Sequence, residues 1–392
     1  MASPLDGVKV LDLCRVLAGP HAGRLLADLG ADVVKVEPPE GDVSRVFGKK
    51  PESAYFRQQN AGKRSITVDL RLTEGRELVT RLASVADVVT ENFRPGIMAR
   101  FGLAYEDLVA VNPRLVMLSI SGFGQDGPER DRASYAGVIH AETGVTARRR
   151  PGPGQPHVDI EISMADTVTG LHGVIAVLAA LRLRDATGLG QHIDMAMIDA
   201  MAMSDDYLPN EVAADQARKR RAAAGGGGGG SASSQPAEDV GAAHMRTSPS
   251  EIIETPDGKV IVMGEFKWVW KSVHERLGVA DPTPDSASLD EKVACRRQAW
   301  FDFHQSFATR AELLAALDEA NLAWGLVKTS AEALDSPTLA HRGSIVTIDD
   351  PDGAYTIVRS PYRFSNGEAG VRGPAPRQDQ HRAEILHDWL GA

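Results

Sequence analysis

Short apolar, β-branched runs alternate with helical stretches over the first 200 residues, and this alternation limits the possible folds more than any other feature. The runs occupy residues 8–13, 32–37, 64–69, 87–91, 114–120 and 191–197. Runs of this length are typical of buried strands, and strands that alternate with helices form parallel sheets. The sequence therefore predicts an α/β fold with a Rossmann-like, doubly wound parallel sheet.

The turn after the first run lacks a dinucleotide-binding fingerprint. Residues 14–23 read Cys-Arg-Val-Leu-Ala-Gly-Pro-His-Ala-Gly, whereas the fingerprint is Gly-x-Gly-x-x-Gly. The sequence therefore argues against a nicotinamide or flavin dehydrogenase, even though the pattern of strands and helices suits one.

The composition changes after residue 205, which predicts a second domain. Six glycines at 225–230 follow a basic segment, and no Lys-Ser/Thr completes a phosphate-binding P-loop. A hairpin pattern around Asp257-Gly258 and further helical stretches then indicate a smaller α+β domain. The predicted organisation is a large domain at 1–205, a glycine-rich linker at 206–245, a small domain at 246–330, and a return linker and C-terminal part at 331–392, of which residues 340–392 complete the large domain.

Charge, cysteine content and hydropathy narrow the class of protein. A net charge of −10 argues against nucleic acids and anionic membranes as partners. Cys14 and Cys295 are the two cysteines, and they indicate neither a disulfide framework nor a thiolate metal site. The longest apolar stretch, residues 174–183, is shorter than a bilayer requires, and the N-terminus shows no signal-peptide pattern. We therefore expect a cytoplasmic protein.

Asp166 lies between an alternating run at 159–163 and an apolar segment at 171–183. This pattern predicts a short strand, a turn and the first turn of a buried helix. Aspartate is a preferred N-cap residue, which gives a purely structural interpretation. The alternative is a carboxylate nucleophile, because backbone N–H groups and the helix dipole favour the ionised form and carboxylates form covalent acyl intermediates.

Eight segments of the first 200 residues follow one another in the order of a known family. They lie at 5–13, 15–20, 26–38, 60–66, 91–96, 112–115, 119–128 and 187–191, and the match continues more thinly at 241–244, 255–258 and 360–365. Two of them read Glu91-Asn-Phe-Arg-Pro-Gly96 and Ser119-Ile-Ser-Gly-Phe-Gly-Gln-Asp-Gly-Pro128. Together the segments resemble the class III CoA-transferase family, which includes carnitine and formyl/oxalate CoA-transferases and the related α-methylacyl-CoA racemases.

The resemblance implies that Asp166 is the active-site aspartate of an acyl-CoA:carboxylate CoA-transferase. In that chemistry the carboxylate attacks an acyl-CoA thioester, and a mixed anhydride and an aspartyl-CoA thioester form in turn before a free acid takes the CoA. The implied partners are an acyl-CoA as co-substrate and a free carboxylic acid, with no permanently bound cofactor and no metal. The family plan also implies an interlocked homodimer, each chain having a Rossmann-like large domain and a small domain.

Positions in the family motifs give further candidate binding residues. The candidates for CoA contacts are Lys35, Asn60, Lys63, Arg64, Asn92, Phe93 and Arg94. Arg15 and Leu17 are expected to shape the acyl site, where an apolar Leu17 favours an acyl group larger and less polar than oxalyl. Gly124 is expected in a tight turn, which either serves the fold alone or lets the backbone approach the ligand.

The racemase branch of the superfamily is an alternative. Its catalytic histidine falls on Tyr135 in this sequence, and a phenol with an ordinary pKa of about 10 is a poor base at neutral pH. His140 replaces a glutamine that is frequent in the transferases, and its imidazole either hydrogen-bonds the substrate or packs. A non-catalytic CoA-binding protein is the third hypothesis, and the retained Asp166 argues against it.

Overall fold

The computed structural model describes residues 2–47, 53–148, 156–223 and 251–392. The chain separates into two compact units, one formed by residues 1–208 with 338–392 and the other by residues 209–337. The glycines at 225–230, the remainder of the predicted linker beyond residue 223, and the segment at 241–244 lie outside the described residues.

The larger unit is built on a six-stranded sheet of parallel strands in the order β3-β2-β1-β4-β5-β6. The strands of the protein are β1 (Lys9–Asp12), β2 (Asp32–Glu37), β3 (Arg64–Thr67), β4 (Val88–Glu91), β5 (Val116–Ser121), β6 (Gln191–Ala196), β7 (Glu251–Thr255), β8 (Gly258–Met263), β9 (Ala323–Leu326), β10 (Ile345–Ile348) and β11 (Tyr355–Val358). The predicted parallel α/β sheet is confirmed. The strand order reverses between β1 and β4, and the carboxyl ends of strands at such a reversal form the usual ligand crevice of open α/β sheets.

Helices pack on both faces of the sheet, and an apolar core lies between the sheet and the helices on each face. The helices of the protein are α1 (Ala18–Asp28), α2 (Ala54–Asn60), α3 (Thr73–Ala83), α4 (Ile97–Arg100), α5 (Tyr105–Val109), α6 (Ala136–Glu142), α7 (Val145–Arg148), α8 (Met164–Thr187), α9 (Met197–Met203), α10 (Leu208–Ala223), α11 (Phe266–Leu277), α12 (Leu289–Gln305), α13 (Arg310–Glu319), α14 (Ser330–Leu334), α15 (Pro337–His341) and α16 (Arg382–Leu390), and a 3-10 helix spans Val43–Val46.

Helix α8 is the longest of the described helices and contributes to one of the two cores. Its small residues allow close packing: a Cβ on Gly170 would lie 2.8 Å from the carbonyl oxygen of Ala18 on α1, and one on Gly173 would lie 3.0 Å from Leu118 on β5. With 24 residues it is also long and apolar enough to cross a membrane by length and composition. In the sequence, residues 174–183 form the longest apolar segment, and its length predicts that it is too short for a bilayer. That prediction is wrong, because the helix that contains this segment begins ten residues earlier, at Met164.

The second unit has its own antiparallel sheet, in the order β7-β8-β9, and its own apolar core. Trp300 on α12 is among the most deeply buried side chains of this core. The hairpin between β7 and β8 turns at Pro256-Asp257, one residue before the predicted Asp257-Gly258, and Gly258 begins β8 with a φ of +140° that favours glycine. This unit is an α+β arrangement.

Candidate active site

The loops that follow β1 and β4 meet at the point where the strand order reverses, and Asn92 joins them. Its side-chain oxygen accepts the Arg15 backbone N–H at 2.9 Å, and its side-chain nitrogen donates to the Arg15 carbonyl at 2.8 Å. The Arg15 guanidinium lies over the Phe93 ring, 5.7 Å from its centroid. The Asn92 side chain therefore joins the loop after β4 to the loop after β1, which form the two sides of the crevice.

Val16 has a left-handed backbone conformation with φ of +68°, which is a strained state for a β-branched residue. A buried ion pair holds this turn from behind. The Lys35 ammonium donates to the Cys14 carbonyl at 2.8 Å and to Asp42 at 2.9 Å. The Val16 N–H reaches the other Asp42 carboxylate oxygen at 3.4 Å. The turn leads directly into α1, so its conformation sets the direction of the first N–H groups of that helix.

Asp166 lies in the first turn of α8, at its third residue. The backbone N–H groups of Ala18 and Ala136, the first residues of α1 and α6, lie beside its carboxylate and favour its ionised form. Three helix N-termini therefore converge on one carboxylate. The capping interpretation of Asp166 is wrong, because Ser163 is the N-cap residue. The predicted strand at 159–163 is absent, since Asp159 instead contacts His140.

The pKa of Asp166 is raised to about 6. Burial is the largest cause, and the backbone N–H groups of Ala18 and Ala136 act in the opposite direction and only partly offset it. The expectation that N–H groups and the helix dipole favour the ionised form omitted desolvation, which prevails and reverses the net shift of this pKa. The carboxyl is still mostly ionised at neutral pH, and it is a better base and nucleophile than an ordinary aspartate.

A group with this pKa gives a definite pH dependence. The carboxylate is the reactive form, so the rate of its acylation falls as pH drops through about 6, by about tenfold for each further unit. Above pH 7 the rate is expected to be flat. Rapid-quench measurement of the half-reaction with an acyl-CoA, in buffers of constant ionic strength, checks this profile. A rate that stays constant down to about pH 4 and falls only below that pH would contradict this profile.

Asp166 faces a cavity at this edge of the sheet. Six of the residues predicted from the sequence line the same cavity: Arg15, Leu17, Asn92, Phe93, Arg94 and Tyr135. Arg130, Arg132 and Ser134, which sequence reasoning missed, line it as well. Among the described residues, no histidine lines this cavity.

A second cavity adjoins the first, because Arg15 and Phe93 line both. It extends along the carboxyl ends of β2 and β3, and its wall includes Val68, Leu70 and Arg71. Arg71 was not predicted, although its position in the loop that follows β3 was a usable signal. The two cavities together form a path that leads away from Asp166.

Comparison with known proteins agrees with this arrangement. The model of CoA-transferase family III matches residues 5–382. This chain belongs to that family. The succinate–glutarate CoA-transferase of Agrobacterium fabrum is 34% identical over 98% of this chain and 95% of the relative. The succinyl-CoA–D-citramalate CoA-transferase of Chloroflexus aurantiacus is 33% identical over 99% of this chain and 94% of the relative.

A solved structure has the same fold. The crystal structure of a CaiB/BaiF family protein from Brucella suis is 36% identical, covers 99% of this chain and all of that chain, and superposes with a TM-score of 0.76. The predictions of the family and of a class III CoA-transferase enzyme are confirmed. A CoA thioester is accordingly the co-substrate of this transferase.

Three of the predicted CoA contacts lie inside the transferase instead of on the path. Lys35 and Asn60 have no exposed surface, and neither does the side chain of Lys63. The Lys63 ammonium donates to Asp12, to the Asn60 side chain and to the Pro20 carbonyl, at 2.8 to 2.9 Å. Lys35 lies in the wall of the second cavity, but its ammonium is held by the turn after β1. These groups have their acceptors within the protein, where they support the active-site loops.

Arg64 is also placed away from the path. It begins β3, at the sheet edge opposite to the active site, and it pairs with Asp32 and Asp388. The indole nitrogen of Trp389 donates to the same Asp32 carboxylate. Arg64 therefore lines neither of the two cavities, and its guanidinium ties the C-terminal helix α16 to the sheet.

Gly124 and His140 do not line the cavity. Gly124 has a φ of +92°, and its N–H donates to the hydroxyl of Ser121, a residue of the cavity wall, at 3.0 Å. Its turn therefore shapes the wall from behind. His140 is fully buried and hydrogen-bonds Asp159 and the backbone of Ala165. Of the two predicted roles, substrate contact and packing, the structure therefore shows packing within the protein.

Tyr55 is a further group near Asp166 that sequence reasoning missed. Burial and the negative charges of Asp166 and Asp42 raise its pKa to about 12. The phenol therefore keeps its proton, and it is close enough to respond to the charge of the nucleophile.

Proposed function

We propose that Asp166 carries CoA covalently between an acyl-CoA donor and a free carboxylic acid. The observation that supports this proposal most strongly is the partly buried carboxylate with a pKa of about 6, held by N–H groups of two other helices at the wall of a cavity. A carboxylate that only capped a helix would not need donors from two other helices.

The ionised carboxylate of Asp166 attacks the thioester carbonyl of the donor, which forms a mixed anhydride and releases CoA thiolate. The thiolate then attacks the aspartyl carbonyl, which forms an aspartyl-CoA thioester and frees the donor acid. The acceptor carboxylate repeats these steps in reverse. During attack by the thiolate, the aspartyl oxygen gains negative charge, and the N–H groups of Ala18 and Ala136 are placed to stabilise it.

The second cavity suits the remainder of CoA. Its wall is mostly apolar next to Phe93. Arg71, farther from Asp166, pairs with Asp69 and Glu40, but 65% of its side chain stays exposed, unlike the buried lysines. An apolar passage fits a pantetheine arm, and arginine is the usual partner of phosphate groups. We place the thiol end beside Asp166 and the phosphates beyond the Arg15–Phe93 junction.

The acyl group is proposed to be that of a dicarboxylic acid. The two relatives described above are named for succinate, glutarate or succinyl-CoA. Arg15 and Arg94 line the Asp166 cavity with exposed guanidinium groups, and neither forms an ion pair within the described residues. A second carboxylate on the substrate would supply the missing charge. Leu17 in the same wall agrees with an acyl group larger than oxalyl.

A racemase needs a second base beside Asp166. Tyr135 occupies the expected position, and among the described residues no imidazole faces the cavity. Incubation with succinyl-CoA and a panel of dicarboxylic acids in deuterated buffer distinguishes the two reactions. New CoA thioesters without α-deuteration support the transferase. α-Deuteration without acyl exchange would instead establish a racemase, and CoA binding with neither reaction would indicate a non-catalytic binding protein.

We also propose that two chains form the working enzyme, in agreement with the family plan. Helix α8 carries exposed apolar side chains on its outer face, at Leu171, Ile175 and Leu178, and 62% of the Ile175 side chain is accessible. Contiguous apolar surface of this kind usually marks an interface between proteins.

A charge on this face should separate the chains. The wild-type protein is expected to sediment at twice the 41.9 kDa of one chain, and Ile175→Glu is expected to sediment as a single chain. The reason is that an unpaired carboxylate buried in the interface opposes association. Sedimentation equilibrium measures this, with Leu72→Glu as the control, since Leu72 is an exposed apolar residue just before α3, which packs on the other apolar core. A wild-type protein that sediments as a single chain would contradict the dimer.

A further inference from the structure

Each ring nitrogen of His140 takes part in a hydrogen bond within the protein. Its side chain has no exposed surface. Nδ1 lies 3.0 Å from a carboxylate oxygen of Asp159, and Nε2 lies 3.0 Å from the backbone nitrogen of Ala165. Ala165 immediately precedes Asp166 in the first turn of α8.

These partners determine which nitrogen carries the proton. The Ala165 N–H can only donate, so Nε2 must accept through its lone pair. The carboxylate of Asp159 accepts, so the proton of the neutral ring lies on Nδ1. The Thr146 hydroxyl donates to Asp159 at 3.1 Å and holds that carboxylate in place. The geometry therefore assigns one tautomer and one ring orientation.

The imidazole replaces a missing helix cap. Ser163, the N-cap residue of α8, makes no side-chain hydrogen bond to the helix, so the first turn lacks its usual acceptor. His140 supplies an acceptor from α6. The same helix supplies the Ala136 N–H to the Asp166 carboxylate, one turn earlier. Helix α6 thus binds the first turn of α8 through an acceptor and a donor.

We propose that His140, oriented by Asp159, is a positioning residue that fixes the carboxylate of Asp166 for attack on the thioester. This inference rests on the proposed role of Asp166 as nucleophile. The imidazole itself does not touch substrate, because it does not line the cavity. It acts by holding the backbone on which the carboxylate is carried, and displacement of a reacting group by about 1 Å can lower a rate by about 100-fold.

Two conservative variants separate the two hydrogen bonds of the ring. The amide of His140→Gln reaches the position of Nε2 and can accept the Ala165 N–H, whereas the shorter amide of His140→Asn reaches the position of Nδ1 and can bond only Asp159. We expect kcat to fall by about tenfold or more in His140→Asn and His140→Ala with little change in KM. In His140→Gln we expect kcat within about threefold of wild type.

Controls separate positioning from general loss of stability. His304→Ala removes a buried histidine from the second unit and is expected to lower the melting temperature without changing kcat. Asp159→Asn keeps an acceptor for Nδ1–H and is expected to retain most activity, while Asp159→Ala is expected to lose part of it. A kcat that follows melting temperature across all these variants would overturn the proposal.

A spectroscopic measurement tests the geometry without reference to activity. Long-range ¹⁵N–¹H correlation on histidine-labelled protein, assigned by comparison with His140→Gln, is expected to show Nδ1–H and unprotonated Nε2. Exchange of the Ala165 amide is expected to speed up in His140→Asn but not in His140→Gln. Protonated Nε2 in the neutral wild-type ring would overturn the inference. Absence of acyl exchange in the wild type would instead overturn the proposed function, so the two failures are distinguishable.

Discussion

Replacing Asp166 with asparagine is expected to abolish CoA transfer, lowering kcat by about 10⁴-fold or more, because removal of a covalent nucleophile removes the whole reaction path. The amide has the size and shape of the carboxyl group, and its oxygen can still accept the Ala18 N–H. The protein should therefore fold. It should even unfold at a higher temperature above pH 6, because a carboxyl with a raised pKa is destabilising in its ionised form.

Steady-state transfer assays and thermal unfolding at pH 8 check both halves of this prediction. Asp185→Asn is the matched control, since it removes an exposed carboxylate from the same helix. Asp166→Ala guards against slow deamidation of the asparagine. Transfer by either Asp166 variant at more than a few per cent of the wild-type rate would show that another group carries CoA.

The second large effect is on stability. Asp12 is fully buried beneath the active-site turn and pairs with Lys63 at 2.8 Å. Burial by itself raises the pKa of Asp12, but the charges of Lys63 and Lys35 outweigh it and lower that pKa below its ordinary value. Its other oxygen accepts the Cys14 N–H at 2.9 Å. Asp12→Ala would leave the buried Lys63 ammonium without its charged partner, which is expected to lower the free energy of unfolding by about 3–5 kcal/mol.

Urea unfolding of the wild type and of Asp12→Ala measures this loss. Asp388→Ala serves as control, because it removes the partner of an exposed ion pair in the same unit and should leave the free energy of unfolding almost unchanged. Equal effects of the two substitutions would show that the Asp12–Lys63 pair does not support the fold as described.

The sheet could be predicted from the sequence, and so could much of the cavity wall. The spacing of the β-branched runs indicates parallel strands, and residues directly after such strands collect at one edge of the sheet. This reasoning correctly groups Asn92, Phe93 and Arg94 with Asp166. The same reasoning, applied to the end of β3, would also have found Arg71.

The same reasoning misplaced the lysines. A lysine in a strand that is buried on both faces looks like a ligand-binding cation when its neighbours in space are unknown. The carboxylates that pair with Lys35 and Lys63, Asp42 and Asp12, are separated from them by seven and 51 residues. Only the folded chain shows that these charges neutralise one another.

Two other features depend on balances that no motif encodes. The left-handed Val16 is a strained state that exists only because Lys35 and Asp42 hold the turn, and its sequence would predict an extended residue. The pKa of Asp166 is set by competition between burial and N–H groups contributed by helices far apart in the chain. The hydrogen bonds of His140 likewise require the folded positions of α6 and α8.

Mass spectrometry after incubation with an acyl-CoA tests the central claim most directly. The protein is quenched with and without hydroxylamine, digested and searched for modified peptides that contain residue 166. We predict a CoA adduct on Asp166 that hydroxylamine converts to a hydroxamate, and no adduct in Asp166→Asn. Rapid CoA exchange between acids with an unmodified Asp166 peptide at every time point, or with the adduct on a different residue, would contradict the account.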